Sequence, residues 1–421
     1  MDDEPADDAA FRSEVREWLA AHAGPYRIEG GPSLVFADVS DTEHVVRGRA
    51  WARELYDGGW AGLGWPVEHG GRGLPIGRRL IWAQEAAAAG VAPAINLVGE
   101  AMVGPTLMVH GTEEQRRRYL PPILAGDEIW CQLFTEPEAG TDLAGVTTTA
   151  VAAADGASWL VSGHKIWTSG AHYADWGILL ARTDWDVPKH DGCTMFVLDM
   201  RSPGVTVRPV RQMTGGSAFN EVLLDGVRVA ESDRVGPVGD GWPAAMTALR
   251  AERRALGLGG ARVGGTVERM LAELRPRGVA DDPVVRQTAA QLWIDARVLE
   301  VMGERGAEGA VLRLAATRVS RRSDELLDAM RGADAMLVDD WTPLQLWIPA
   351  TRIGGGTEEA LRTVVAERVL GLPKSPQGDE GVPFRDRQTA PTGDTSTAPD
   401  RSKRHQFGEQ FGGQFGDEGP A

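Results

Sequence analysis

Thr135, Thr141, Thr168 and Ser169 stand at the ends of short β-prone runs, beside Gly140 and Gly170 and around one large indole, Trp167. Hydroxyls so placed can donate to the carbonyls and nitrogens of a flat polar heteroaromatic ring, or to phosphate oxygens. Glycine lets the backbone approach such a ring closely, and an indole can cover its face. The same residues would equally suit a plain antiparallel hairpin whose tryptophan is core, because threonine is common in strands. The element that must position them runs from 130 to 170. A β-prone run (130–135) breaks at Pro137 into the turn-forming Glu138, Ala139, Gly140, Thr141 and Asp142. A second run (147–151) passes through Asp155-Gly156, a hairpin signal, towards Lys165 and Trp167.

The surrounding chain divides by pattern. Residues 1–127 read as an N-terminal helical domain: Phe11, Val15, Trp18 and Leu19 recur at helical spacing behind acidic residues. A glycine-rich loop covers 58–73, helices are expected at about 77–89 and 98–109, and Thr112 with Gln115 forms a capping box for a helix ending near Pro121 and Pro122. From 128 to 232 short β runs alternate with turns, as in a small β-barrel or sandwich. From 233 to 373 helices are expected at roughly 243–274, 283–303, 307–330 and 358–369, a four-helix bundle. Residues 374–421, rich in Gly, Pro, Asp, Thr and Gln, read as a disordered tail. The fold class is multidomain α+β.

Composition narrows the function. The 421 residues are 42% hydrophobic and 25% charged, values of a globular protein with two or three full cores. A net charge of −16 argues against nucleic acid and anionic membrane surfaces as partners. The two cysteines, Cys131 and Cys193, and eight scattered histidines make no metal-type spacing, so no metal is expected. The acidic start MDDEPADD does not read as a signal peptide, and the apolar stretch 83–110 is broken by Glu85, Pro93, Glu100 and Pro105, so no membrane span is expected. A cytoplasmic location is expected.

The wording of the segments adds a family. TEPEAGTD (135–142) followed by GHKIWTSGAHYADW (163–176) closely resembles the flavin-binding middle domain of the acyl-CoA dehydrogenase family. The resemblance continues upstream in GWAGLGWPVEHGGRG and HGTEEQRRRYLPPILAGDEIW. Downstream it runs through GVTVRPVRQMTGGSAFNEVLLDGVRV and GGGTEEALRTVVAERVLGLP, covering roughly 10–373 in family order. It implies an N-terminal helical domain, a middle β-barrel and a C-terminal four-helix bundle. It also implies FAD-dependent α,β-desaturation of an acyl-CoA thioester: a carboxylate takes the α-proton while the β-hydrogen leaves as hydride. Bacterial members with a GGGTEE segment resemble enzymes acting on varied, often bulky acyl-CoAs.

By the same resemblance Phe134, Thr135, Gly140, Thr141, Trp167 and Thr168 frame the flavin and its phosphates, Thr357 sits near it, and Gln287 matches a glutamine that reaches FAD from a neighbouring subunit. The usual base, a glutamate before a Gly-Thr pair, is replaced by Gly355, whose N–H can still serve the thioester oxygen. A minority of the family carries the base on the first helix of the C-terminal domain, where this chain has Glu252. Ala245, Leu249, Glu252, Leu256 and Gly259 are spaced by three and four, so one carboxylate interrupts an otherwise small or apolar stripe. Such a carboxyl is partly desolvated and its pKa rises towards that of a useful base; the plainer alternative is a pair with Arg253 or Arg254. Glu100, flanked by Gly99, Ala101 and Gly104, reads either as a helix-end carboxylate reaching water or as a polar group in the acyl pocket. The Arg275 to Gly278 segment and Glu359 depart from the family pattern at the adenine end. The expected partners are an acyl-CoA and electron-transferring flavoprotein, in a homo- or hetero-oligomer built as a dimer of dimers, that is, a tetramer. Two other readings stay open: a non-catalytic partner subunit of a heteromeric enzyme, and a flavin oxidase or monooxygenase on the same fold.

Overall fold

The computed structural model describes residues 6–27, 41–91, 94–258, 260–374 and 381–387, with side chains described throughout these except at 256–265. The first unit is helical: α1 (Ala6–His22), α2 (Thr42–Asp57), α3 (Ile76–Ala88), α4 (Gly104–His110) and α5 (Glu113–Ala125). Phe11, Val15 and Leu19 form the buried stripe of α1, as their spacing requires. A π-helical turn, Gly99–Val103, runs directly into α4. The expected capping box opens α5, with Thr112 Oγ1 accepting from Gln115 N at 3.2 Å and Gln115 Oε1 from Thr112 N at 3.0 Å. This helix does not stop at its prolines; it passes Pro121 and Pro122 and ends at Gly126 (φ +72°). Each proline gives up an N–H donor and crowds the carbonyl four residues earlier, but the chain stays helical past both, and it is the glycine, in the left-handed region, that closes the last turn.

The middle unit is one eight-stranded sheet: β1 (Trp130–Leu133), β2 (Thr149–Ala152), β3 (Ser158–Ser169), β4 (Trp176–Arg182), β5 (Cys193–Asp199), β6 (Val205–Val210), β7 (Phe219–Ala230) and β8 (Arg234–Val235). The order is β6-β7-β3-β2-β4-β5-β8, with β1 added parallel to β4. Gly156 (φ +65°) turns the β2–β3 hairpin. One face encloses a core of Leu133, Val161, Leu179, Phe196, Val222 and Val227 among others. The other packs against α6 and the first helical unit through Ile178, Leu180, Met195 and Val235.

The C-terminal unit contains α6 (Gly241–Leu258), α7 (Gly260–Glu273), α8 (Pro283–Glu304), α9 (Gly309–Arg331), α10 (Thr342–Trp347) and α11 (Glu358–Val364). The helix expected at 243–274 corresponds to α6 and α7, which lie on either side of residue 259; that residue is outside the described residues. Residues 374–421, read from sequence as one disordered tail, include a described segment. Residues 381–387 carry a final turn, α12 (Phe384–Arg387), with Phe384 buried. Its backbone pairs with the β4–β5 loop: Phe384 N donates to Val187 O at 2.9 Å and Arg385 N to Trp185 O at 3.0 Å. No described helix is long and apolar enough to cross a membrane, and among the described residues no cluster of three or more His, Cys, Asp or Glu is arranged for a metal.

Candidate active site

The turn that follows β1 is held by charges the sequence reading did not single out. Lys165, on β3, is fully buried and donates from Nζ to Glu136 Oε1 (2.8 Å), Leu180 O (2.8 Å) and Phe134 O (3.1 Å). Glu136 in turn accepts from Thr147 N (2.7 Å), Thr147 Oγ1 (2.9 Å) and Thr148 N (2.9 Å). The Lys165 ammonium and these donors outweigh burial and hold the Glu136 carboxyl down to about 2. Arg182, at the end of β4, donates from Nη2 to Ala144 O (2.7 Å) and from Nε to Val146 O (3.0 Å). Two buried ions therefore fix the path from Phe134 to Thr148, and with it Thr135, Gly140 and Thr141. Phe134 is core, Thr135 is half-buried, and Gly140 and Thr141 are exposed on the turn.

Trp167 is the one non-glycine residue with positive φ (+61°) among the described residues, and its indole is 54% exposed. The β3–β7 register slips between Lys165 and Thr168, and this bulge turns the indole outward. A side chain held in the left-handed region costs on the order of 1–3 kcal/mol and is kept where orientation matters. The indole meets Phe219 edge-on (5.9 Å), and Phe219 stacks on Trp347 of α10 (5.6 Å). Ser169 pairs with Phe219 across the strands, so it shares the face of Trp167. Thr168, which the sequence reading placed beside the flavin, is buried, with its Oγ1 lacking a protein partner. Strand alternation turns it the other way. Ser169 is the hydroxyl that the geometry brings to the indole.

On α6, Ala245 is buried, and Leu249 and Glu252 are partly buried; the side chains of Leu256 and Gly259, the rest of the expected stripe, lie outside the described residues. Burial pushes the Glu252 carboxyl above its usual range, against the pull of Arg253 and Arg313. Neither arginine closes an ion pair with it. Arg313, buried on α9, instead donates to Thr351 O and, at 2.7 Å, to Gly354 O. Arg253 lies along Gly309 and Gly356. Glu252 thus shares a guanidinium neighbour with the triple-glycine turn. Gly355 (φ +72°) and Gly356 (φ +102°) occupy the region that side chains rarely adopt. Gly355→Ala is expected to cost about 1–2 kcal/mol, read as a lowered Tm.

The remaining predicted residues are more dispersed. Thr357 caps α11, its Oγ1 accepting from Ala360 N at 3.2 Å. Glu359 is exposed in the first turn of α11, while buried Glu358 is paired with Arg352 and Arg362 at 3.2 Å each. Gln287 is exposed on α8, on the same helix as exposed Val284, Ile294 and Val298. Glu100 lies in the first turn of the π-helical segment, at a helix end as one reading had it, but it turns inward: it accepts from Gly62 N at 3.0 Å and is raised in pKa by burial. Arg79 sits within its electrostatic reach and packs on Gly64. A cleft of about 550 Å³ between α2 and the sheet is lined by Arg49, Asp175 and Arg201. It lies apart from these groups, its charges matched internally through Asp175.

The missed groups left a signal. Lys165 and Glu136 are both inside the quoted segments, and Arg313 falls on the stripe Ala310, Arg313, Thr317 that α9 buries. A lone charge on an otherwise inward face is a partner-seeking charge.

Three family models match in chain order: acyl-CoA dehydrogenase, N-terminal domain (5–127), middle domain (131–227) and C-terminal domain (239–370). The chain is 38% identical over 392 residues to acyl-CoA dehydrogenase IpdE1 of Mycolicibacterium smegmatis, covering 87% of this chain and 98% of that one. It is 40% identical over 332 residues to FadE34 of Mycobacterium tuberculosis, covering 76% and 46% respectively. Among solved structures, the Tcur3481-Tcur3483 steroid ACAD superposes with a TM-score of 0.76 at 31% identity, covering 89% of this chain and 100% of that one. The ChsE4-ChsE5 complex from Mycobacterium tuberculosis gives 0.75 at 28%, with the same coverage. An indole set outward beside a charged, hydrogen-bonded turn, and a helix carrying one carboxylate raised in pKa by burial, are thus arranged on a chain that belongs to the acyl-CoA dehydrogenase family, oxidoreductases acting on CH–CH groups.

Proposed function

We propose that this chain is the base-bearing subunit of a FAD-dependent acyl-CoA dehydrogenase acting on a steroid-derived or similarly bulky acyl-CoA, with Glu252 as the base. The observation that carries it is Glu252 itself, a carboxylate raised in pKa by burial, without an ion pair among the described residues, within electrostatic reach of the arginine that holds the triple-glycine turn. An α-proton is removed only when the thioester oxygen is hydrogen-bonded. Gly355 N–H is suited to that role because a glycine at φ +72° leaves no side chain over the turn. Glu252 accepts the proton and Arg313 steadies the resulting charge balance. A bound FAD would supply the acceptor for the β-hydrogen and its electron pair. Trp167, Ser169, Thr135 and Thr141 would hold the ring and phosphates. The outward indole, with half-buried Ser169 on its face, fits a planar ring better than a closed core.

A steroid-type substrate is supported by the printed description of the 31% identical structure. Assembly with a second chain is supported by the apolar exposed face of α8 around Gln287, and by the paired names of the two similar structures. Anaerobic titration with steroid-derived and straight-chain acyl-CoAs is expected to bleach the flavin, and to do so at lower concentration with the steroid thioesters. Reoxidation by electron-transferring flavoprotein, and not by oxygen, would set aside the oxidase reading. A flavin that no acyl-CoA bleaches, alone or with a co-expressed neighbour, would overturn the enzyme reading in favour of a supporting subunit.

A further inference from the structure

We propose that residues 381–387 form a clasp that holds the turn between β1 and β2 through Arg182, with Phe384 as a positioning residue for cofactor binding; this rests on FAD being bound at that turn. The segment lies beyond 370, where the C-terminal family model ends. Its buried Phe384 ring lies 3.6 Å from the Arg182 guanidinium carbon and 5.3 Å from the Trp185 ring. Arg182 is 1% exposed and, among the described residues, has no carboxylate within ion-pair distance. Its donors go to the carbonyls of Ala144, Val146, Lys189 (3.2 Å) and Asp184 (3.5 Å), and to Cys193 Sγ (3.6 Å). The negative face of the Phe384 ring adds to these acceptors and to the more distant charge of Glu136 as a counterweight to a buried cation, against the repulsion of Arg387 in the same segment, and the ring covers the guanidinium.

The clasp has a second grip. Arg385 pairs with Asp186 at 2.5 Å, and Pro383 bridges Pro188, so the whole β4–β5 loop (183–192) is pinned. That loop reaches the turn again through Lys189, 2.8 Å from Asp142, and reaches α6 through His190, 4.7 Å from the Trp242 ring. Removing the ring admits water to Arg182. Water then competes for the carbonyls of Ala144 and Val146, and the turn bearing Thr135, Gly140 and Thr141 loosens.

The test is FAD affinity, measured by quenching of flavin fluorescence on the full-length holoenzyme, with its partner subunit where one co-purifies. Phe384→Ala and Phe384→Leu are each expected to weaken FAD about fivefold and to speed amide exchange at 143–148. Phe384→Tyr and Phe384→Trp, which keep a π face, should stay within about twofold of the parent. A chain ended after Pro373 should match Phe384→Ala or exceed it. If Phe384→Leu binds FAD as tightly as the parent, the ring acts by bulk alone and the proposal fails. Equal affinity in every variant also sinks it while leaving the cofactor reading intact, whereas a parent with no affinity for FAD sinks both.

Discussion

Glu252→Gln is expected to keep FAD and lose turnover. Substrate-dependent flavin reduction should fall by about 10²- to 10⁴-fold, the usual worth of a positioned general base, while the visible flavin spectrum and acyl-CoA binding stay close to the parent. The amide has the carboxylate's shape and cannot take the proton, so geometry and chemistry are separated. Acid should act on the parent in the same direction. Burial raises the Glu252 pKa above its ordinary 4.5, so the reactive form is depleted at a higher pH than for an exposed glutamate, and the rate rises as pH rises through that shifted value. The stability effect has the opposite sense. A carboxyl whose folded pKa is raised favours the folded state below the unfolded value and loses that contribution as pH rises through the folded one. The parent therefore carries a charge at neutral pH that burial disfavours, and Glu252→Gln should raise Tm at pH 7 with little gain in acid. Flavin bleached by substrate at an unchanged rate in the variant would remove Glu252 from the mechanism.

How much of this was legible beforehand differs by element. The Thr112–Gln115 capping box and the Asp155-Gly156 hairpin are local chemistry, and both are present where the spacing puts them. The apolar stripe around Glu252 was legible as helical periodicity, but whether its carboxylate would be paired was not. That depends on Arg313 being engaged by carbonyls of a turn some forty residues later. Thr168 and Ser169 were indistinguishable in sequence because a bulge, not composition, sets which of the two follows Trp167 to the outer face. The docked segment at 381–387 was hidden by the polar composition of its flanks, since one phenylalanine gives no periodicity. Long-range electrostatics and strand irregularity are tertiary facts, and these are where the sequence reading stopped.

Lys165→Met should be the most destabilising single change proposed for this protein, at about 3–5 kcal/mol. The methionine fills the ammonium's stem but leaves Glu136, 5% exposed, as a buried charge without its counter-ion. Adding Glu136→Gln to it should recover part of the loss. The amide carries no charge, and its oxygen still accepts from one of Thr147 N and Thr148 N, but one backbone N–H remains orphaned, at about 1–3 kcal/mol. Full recovery is therefore not expected. In the parent, Glu136 is held at about 2 against an ordinary 4.5. Its contribution to stability is fully present above 4.5 and is lost as pH falls through about 2. In Lys165→Met the lowering partner is gone and burial raises the Glu136 carboxyl instead, so the sign reverses: the variant is weakest at neutral pH and approaches the parent on acidification. Chemical denaturation of the four members of the cycle at two pH values would measure this. Single and double effects that add to within about 0.5 kcal/mol would mean the two side chains are energetically independent. In that case the turn bearing Thr135 and Thr141 is shaped by its backbone and by Arg182, and the buried pair is incidental to the flavin site.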